Sequence, residues 1–252
     1  MNPVLVITAV SQEAALLEQT LAPNALLLTI GAYTCVQGMC GTLPVTVCLS
    51  GVGKINAAAA TAVLVGHLRP RLVINTGCAG AYAGSGLGVG DLAVASNEVL
   101  GDEGVMTSAG WLGLQQMNMP CFTKGEDRYF NEIPLSDRAA DKAVRLANYC
   151  GVNLTRGTFV TVSTCSGTVQ QGELFSRRFG GICENMEGAA VALTCLRYGV
   201  DCLEIRGISN LVEERNMNRW DIPLAVDAAQ RFVLKYLEEM ARPEKVPESL
   251  SH

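Results

Sequence analysis

Residues 4–10 form an unbroken apolar run with several β-branched side chains, and a strand of that composition is stable only where both of its faces are covered. A chain that begins this way is committed to a parallel or mixed sheet held between other layers, and the remaining sequence has to supply the covering helices. Ser11 is placed to cap a helix running to Leu21. Residues 33–39 and 43–50 read as strands joined through Cys40-Gly41-Thr42, a hairpin-type connection that makes the sheet mixed. Gly51-Val52-Gly53-Lys54 then opens an Ala-rich helix to His67. It is followed by an apolar strand over 72–76, a second glycine cluster and a strand over 91–98.

The second half continues the alternation. Residues 101–125 have weak periodicity and several glycines, as in an irregular excursion of lid or interface type. Helical spacing over 136–150, a strand over 158–162, a helix over 187–198 closed by Gly199, and a strand over 202–208 follow. Residues 221–240 form an amphipathic helix with Pro223 in its first turn, where a missing amide is tolerated. Residues after 242 are expected to be a frayed tail. No stretch rich in Pro, Gly or Ser divides the chain, so a single domain over 1–242 is expected, of class α/β, three-layer αβα with a mixed central sheet.

Composition narrows the chemistry. With 49% hydrophobic and 17% charged residues, the 252-residue chain can bury a sizeable core. A net charge of −5 argues against a nucleic-acid partner. The two histidines, His67 and His252, leave little room for imidazole catalysis or a His-rich metal site. Ten scattered cysteines, none spaced C-x-x-C, and no basic-apolar leader point to a reducing cytoplasm, with Cys35, Cys48, Cys183, Cys195 and Cys202 as small core residues. No apolar run approaches the roughly 20 residues of a membrane helix.

In an open α/β sheet the ligand crevice lies beyond the carboxyl ends of the strands, which directs attention to residues 11–13, 50–54, 77–85 and 209–210. Neither glycine cluster has the spacing of a dinucleotide fingerprint or the Gly-Lys-Ser/Thr of a P-loop. Glu13 in a first helical turn is also what the helix dipole favours, Glu187 opens a helix of small residues, and Asn210 could equally turn the chain. Singly, none of these decides a function.

Together, Ser50-Gly51-Val52-Gly53-Lys54, Asn75-Thr76-Gly77-Cys78-Ala79-Gly80, Asn185-Met186-Glu187-Gly188-Ala189-Ala190 and Arg206-Gly207-Ile208-Ser209-Asn210 resemble, in order and over nearly the whole chain, the signature of nucleoside phosphorylases and nucleosidases. The resemblance implies a ribosyl transition state with oxocarbenium character. It makes Glu13 the group that orients and deprotonates water, and Glu187 the acceptor for the ribose hydroxyls that steadies the sugar cation. Met186 would pack on the ribose, Cys78, Ala79 and Gly80 would line the cavity, and Arg206 and Ser209 would hold the segment that presents Asn210 to the base. Asn75 stands where similar phosphorylases place an arginine, and Ala9-Val10-Ser11-Gln12-Glu13 is similar to the nucleosidase branch, so hydrolysis is expected.

Adenine-releasing members carry Asp where this chain has Asn210, and an amide suits a 6-oxopurine such as hypoxanthine. Gly84-Ser85-Gly86-Leu87-Gly88-Val89-Gly90-Asp91, Gly101-Asp102-Glu103-Gly104-Val105 and Asn218-Arg219-Trp220-Asp221-Ile222-Pro223 most resemble the futalosine hydrolase family. That resemblance implies a substrate ending in a benzoate, for which Trp220 is a candidate wall and Arg128, Arg215 and Arg219 are candidate cations. It implies no metal and no organic cofactor, a small nucleoside as the bound partner, and a homodimer or larger homo-oligomer. The alternatives are a methylthioadenosine, S-adenosylhomocysteine or aminofutalosine nucleosidase, a purine nucleoside phosphorylase, and a nucleoside-binding module without activity.

Overall fold

The computed structural model describes residues 2–242. The strands are β1 (Val4–Thr8), β2 (Leu26–Ile30), β3 (Tyr33–Cys40), β4 (Leu43–Leu49), β5 (Leu72–Ala81), β6 (Leu92–Leu100), β7 (Gly104–Thr107), β8 (Gly110–Gly113), β9 (Phe122–Lys124), β10 (Asp127–Tyr129), β11 (Glu132–Pro134), β12 (Leu154–Thr161), β13 (Gly181–Asn185) and β14 (Cys202–Leu211). The helices are α1 (Ala15–Leu21), α2 (Lys54–Leu68), α3 (Asp137–Cys150), α4 (Val169–Phe179), α5 (Gly188–Tyr198) and α6 (Ile222–Ala241).

A mixed ten-stranded sheet runs β11-β6-β12-β13-β5-β1-β4-β3-β2, with β14 paired to both β5 and β6. All five residues of β1 are buried, and their alternation separates two cores. Val4 and Val6 pack with residues of α1, α3 and α6, whereas Leu5 and Ile7 pack with α2 and α5. This is the three-layer αβα arrangement expected from the first strand. The five cysteines assigned to the core are buried. Ser136 caps α3 by accepting from Ala139 N, Gly199 closes α5 in the left-handed conformation, and Asp221 caps α6 by accepting from Leu224 N.

Several local expectations are corrected. Ser11 does not cap a long helix. Residues Ser11–Glu13 form one 3-10 turn and α1 starts afterwards at Ala15, because the Glu13 side chain takes the amides that precede the turn. The glycine cluster at 77–80 does not lie beyond the end of a strand, and neither do Ser209 and Asn210. Both segments are strand, because β5 and β14 pair in parallel from Val73↔Cys202 to Ala81↔Leu211 and so occupy each other's backbone groups. The stretch over 101–125 contains the β7–β8 hairpin and β9. Strand β2, helix α4 and strand β13 are additional elements. Helix α4 carried a readable signal: Thr168 accepts from Gln171 N at 3.3 Å at its start, and Gly180 ends it. The expected tail after residue 242 lies outside the described residues. No helix among the described residues is long and apolar enough to cross a membrane.

Candidate active site

Glu13 is 4% exposed, with its carboxylate pinned from two directions. Oε2 accepts from Ala9 N at 3.0 Å and Val10 N at 3.3 Å, and Oε1 accepts from Cys78 N at 3.0 Å. One side chain thus ties the end of β1 to the glycine-rich half of β5. Gly77 makes this approach feasible, since a Cβ there would collide with Glu13 Oε1 and Arg206 Nη1. Burial, reinforced by the Glu13 charge, pushes the Cys78 thiol up to about 11, so Cys78 presents a neutral lining.

Glu187 stands immediately before α5, where a first-turn side chain might be spent on capping. Here the helix amides are served from elsewhere. Asn185 Oδ1 accepts from Glu187 N at 2.9 Å and Gly188 N at 2.7 Å, and Thr161 Oγ1 accepts from Ala189 N at 2.7 Å. The Glu187 carboxylate is thereby left to reach across to the turn before α2, where Oε1 accepts from Gly53 N at 2.9 Å. Oε2 lies 3.5 Å from Arg206 Nη2. Burial raises the Glu187 pKa, opposed by the Arg206 charge and the Gly53 amide.

Arg206 is the hub beneath these acids. It is 1% exposed, its Nε donates to Glu204 Oε1 at 2.8 Å and its Nη1 to the Cys78 carbonyl at 3.3 Å. Burial alone would lower its pKa, but the charges of Glu204, Glu187 and Glu13 hold it above the usual arginine value. Glu98 adds another layer, accepting from Asn185 Nδ2 at 2.6 Å and Thr161 Oγ1 at 2.7 Å. Burial and the neighbouring Glu204 hold its carboxyl well above the ordinary range. The raised pKa favours the protonated form of Glu98 beside a Glu204 Oε2 that has no donor among the described residues.

The other end of the site is built on β14. Asn210 pairs with Gly80 after a register shift that follows Ile208. Ser209 Oγ lies 2.8 Å from Asn210 Oδ1 and 3.3 Å from the Ala79 carbonyl, while Asn210 Nδ2 donates to the Leu211 carbonyl at 3.0 Å. This leaves Asn210 with one spare N–H and one spare lone pair. A Cβ at Gly80 would stand 3.0 Å from Val212 Cγ2 and 3.1 Å from Asn210 Nδ2, so the missing side chain lets both approach β5 closely. Met186 is half-buried between Asn185 and Glu187, and Ala79 is buried.

The rim gathers the remaining candidates unevenly. Trp220 is half-buried just before α6, with the Arg215 guanidinium 5.0 Å from its ring centre. Burial pushes the Cys165 thiol up to about 11, with Glu184 and Glu187 adding to the rise and Arg215 opposing it. Arg219 is paired with Glu213 at 2.9 Å. Arg128 donates to Asn118 Oδ1 at 2.8 Å and lies over the Phe130 ring. Lys54 bonds Asp102 at 2.6 Å and Glu103 at 3.1 Å, and Asp102 accepts from Ser163 N at 2.6 Å, joining α2 to the loop that carries Cys165. Asn75 is 1% exposed within β5. No group of three or more His, Cys, Asp or Glu side chains among the described residues is arranged to hold a metal ion.

Sequence reasoning missed Glu98, Glu184 and Glu204. Nothing local distinguishes them from strand acids: Glu98 and Glu184 are held by partners 18 to 87 residues away, and Glu204 by Arg206 on its own strand.

These features sit on a chain whose residues 3–238 match the phosphorylase superfamily profile. A futalosine hydrolase from Thermus thermophilus is 33% identical over 79% of this chain and 83% of its own length. A 5'-methylthioadenosine/S-adenosylhomocysteine nucleosidase from Oceanobacillus iheyensis is 31% identical over 86% of this chain and 89% of its own. The structure of the Neisseria meningitidis nucleosidase of that name, in complex with methylthio-immucillin-A, superposes with a TM-score of 0.81 at 24% identity, covering 95% of this chain and 100% of that one. The chain belongs to the phosphorylase superfamily and is a hydrolase acting on N-glycosyl compounds.

Proposed function

We propose that the enzyme hydrolyses futalosine, releasing hypoxanthine and dehypoxanthine futalosine, and so serves menaquinone biosynthesis. Water adds to C1′ of the ribose as the C1′–N9 bond breaks. Glu13 takes the water proton, Glu187 accepts the ribose hydroxyls and its charge steadies the sugar cation, and the base leaves as an anion relieved by hydrogen bonds. The base takes its proton from solvent on release, and Glu13 returns its own to solvent. Two buried carboxylates around one cationic centre suit that charge pattern, because low-dielectric surroundings strengthen their effect on the sugar. Met186 packs on the ribose, Cys78, Ala79 and Gly80 line the base side, Arg206 and Ser209 hold the framework, and Trp220 with Arg215 receives the 5′ extension and its carboxylate.

The observation that carries the choice of base is Asn210, an amide with both a donor and an acceptor free beside Gly80. It offers a hydrogen bond to hypoxanthine but no proton to adenine. The similarity to a futalosine hydrolase supports the same reading. The similarity to methylthioadenosine/S-adenosylhomocysteine nucleosidases favours a second one, adenine release. The enzyme is further proposed to be one catalytic domain over residues 1–242, cytoplasmic and homo-oligomeric.

Chromatographic product analysis with futalosine, aminofutalosine, inosine and methylthioadenosine, each with and without phosphate, tests the proposal. Hypoxanthine from futalosine without need of phosphate is the expected result. Adenine release from the amino substrates in preference overturns the base assignment, and phosphate dependence overturns hydrolysis.

A further inference from the structure

The turn before α2 meets Glu187 through glycine backbone. Gly53 N donates to Glu187 Oε1 at 2.9 Å, yet Gly51 and Gly53 both have positive φ, at 86° and 93°, and no side chain caps the helix that follows. A Cβ on Gly53 would meet nothing within 4 Å, so packing does not hold this residue in place. Two glycines so close together leave a segment many conformations. The turn is secured at its start, where Ser50 N donates to the Thr8 carbonyl at 2.8 Å and Gly51 N to the Ala9 carbonyl at 3.1 Å. Asn56 Nδ2 reaches back to the Val52 carbonyl at 2.8 Å, which closes the turn on itself without tying it to the sheet.

Lys54, the next residue, supplies the missing tie. Its ammonium donates to Asp102 Oδ1 at 2.6 Å and Glu103 Oε1 at 3.1 Å. Burial would lower the Lys54 pKa, but the bonds and charges of the two acids raise it. Burial would likewise raise the Asp102 pKa, but the bonds from Lys54 and the Ser163 amide lower it. The acids are themselves fastened to the end of β12, since Ser163 N donates to Asp102 Oδ2 at 2.6 Å and Gly101 N to the Thr161 carbonyl at 2.9 Å. Asn131 Nδ2 holds the carbonyls of Leu100 and Glu103, each at 2.8 Å. Thr161 is also the residue whose Oγ1 accepts from Ala189 N in the first turn of α5. The Gly53 donor and the Glu187 acceptor are thus referenced to one strand end, the first through Lys54 and the second through α5. With Asp102 and Glu103 side chains 30% and 44% exposed, such a pair adds little stability. Its consequence is position.

We infer that Lys54 is a positioning residue for Glu187: anchored by Asp102 and Glu103, it holds Gly53 N on Glu187 Oε1 and so fixes the carboxylate that meets the ribose hydroxyls. This rests on the role of Glu187 in the proposed function and deepens it. Burial and the charges of Glu13 and Glu204 favour the protonated Glu187 carboxyl, whereas the Arg206 guanidinium and the Gly53 bond favour the carboxylate. The Cys165 thiol, which burial and the charges of Glu184 and Glu187 push up to about 11, stays neutral. Losing the Gly53 bond therefore raises the Glu187 pKa, and activity that needs the carboxylate disappears at a higher pH on acidification.

The test measures the pH dependence of kcat/KM, on the nucleoside that the wild-type enzyme hydrolyses, in Lys54→Met and Asp102→Ala, with Lys54→Arg as the conservative variant. The first substitution removes a positive charge and the second a negative one. A purely electrostatic influence on Glu187 moves the acid limb up in one and down in the other. Loss of position moves it up in both, by about 1 pH unit, the share of one bond among the two or three backbone donors that can take a carboxylate pKa below ~2. Lys54→Arg should keep the wild-type profile. The Gly53 amide proton, followed in 15N-glycine-labelled enzyme, should lie downfield in the wild type and move upfield in both Lys54→Met and Asp102→Ala. Opposite shifts of the acid limb, an unmoved Gly53 resonance, or a loss of kcat/KM that is equal at every pH overturn the role of Lys54. Glu187→Gln tests the parent reading alone: near-wild-type turnover there removes Glu187 from the chemistry, while the Gly53 resonance still reports whether Lys54 sets the contact.

Discussion

Arg206 Nη2 lies 3.5 Å from Glu187 Oε2, with both side chains out of solvent and the guanidinium also bonded to Glu204 at 2.8 Å. One cation thus balances an acid assigned to the chemistry and another that serves the scaffold. Replacing it with a neutral side chain of similar length, Arg206→Met, leaves two carboxylates buried without a counter-charge. The expected cost is about 3–5 kcal/mol, the usual consequence of breaking a buried ion pair from one side. Urea unfolding measures it, and a loss under about 1 kcal/mol would mean the acids find protons or water instead.

The pair Glu98 and Glu204 gives stability a particular pH dependence. Glu98 binds a proton in the folded protein that it releases on unfolding once the pH exceeds an ordinary glutamate value, about 4.3. The folded state then holds more protons than the unfolded one, so this contribution is complete at low pH and is lost as pH rises toward the elevated folded value. Glu98→Gln keeps an acceptor and supplies a permanent donor facing Glu204. It should flatten the decline on the alkaline side. Thermal unfolding across pH 5 to 9 shows whether the two curves diverge with rising pH; parallel curves would place the shared proton elsewhere.

Every acceptor direction used by Glu13 meets a backbone N–H, so Glu13→Gln turns an amide NH2 against one of them while removing the base. Turnover should fall by roughly 10² or more, with substrate still bound. Single-turnover kinetics alongside equilibrium binding separates the two effects, and near-wild-type turnover would remove Glu13 from the reaction.

Gly77→Ala probes the same carboxylate without touching its chemistry. The added methyl collides with Glu13 Oε1 and Arg206 Nη1, so both must shift. A displacement near 1 Å is enough for a loss of about 10² in kcat. An alanine variant that retains full activity would show that the position of Glu13 is not critical.

Asn210→Asp replaces a fixed donor and acceptor with a group that can carry a proton for an adenine leaving group. Hypoxanthine release should slow, and adenine release from aminofutalosine should increase. A competition assay with both nucleosides reads the change directly, and an unaltered base preference would mean that Asn210 does not touch the base.

Much of this site was legible before folding. Glu187, Arg206 and Asn210 stand in the ordered motifs and Glu13 in the segment 9–13, and the structure brings Glu13, Glu187 and Arg206 together. The strand over 4–10, the Ala-rich helix after Lys54 and the caps at Ser136, Gly199 and Asp221 follow from local rules, since hydrophobic period and capping act over a few residues. The glycines at 77 and 80 also stand out, although they lie within a strand and not beyond its end.

What the sequence by itself determined, then, was the class of fold, the alternation of its elements and the residue types available for chemistry, all properties set by short-range pattern. Tertiary structure decided the rest. Only pairing with β14 makes residues 77–81 a strand, only the Cys78 amide fixes Glu13 against β5, and only the register of β5 sets Asn210 opposite Gly80. Each of these depends on hydrogen bonds between segments 60 or more residues apart. The free energy of such contacts exists only once the sheet has closed, so no local stretch of sequence carries its trace.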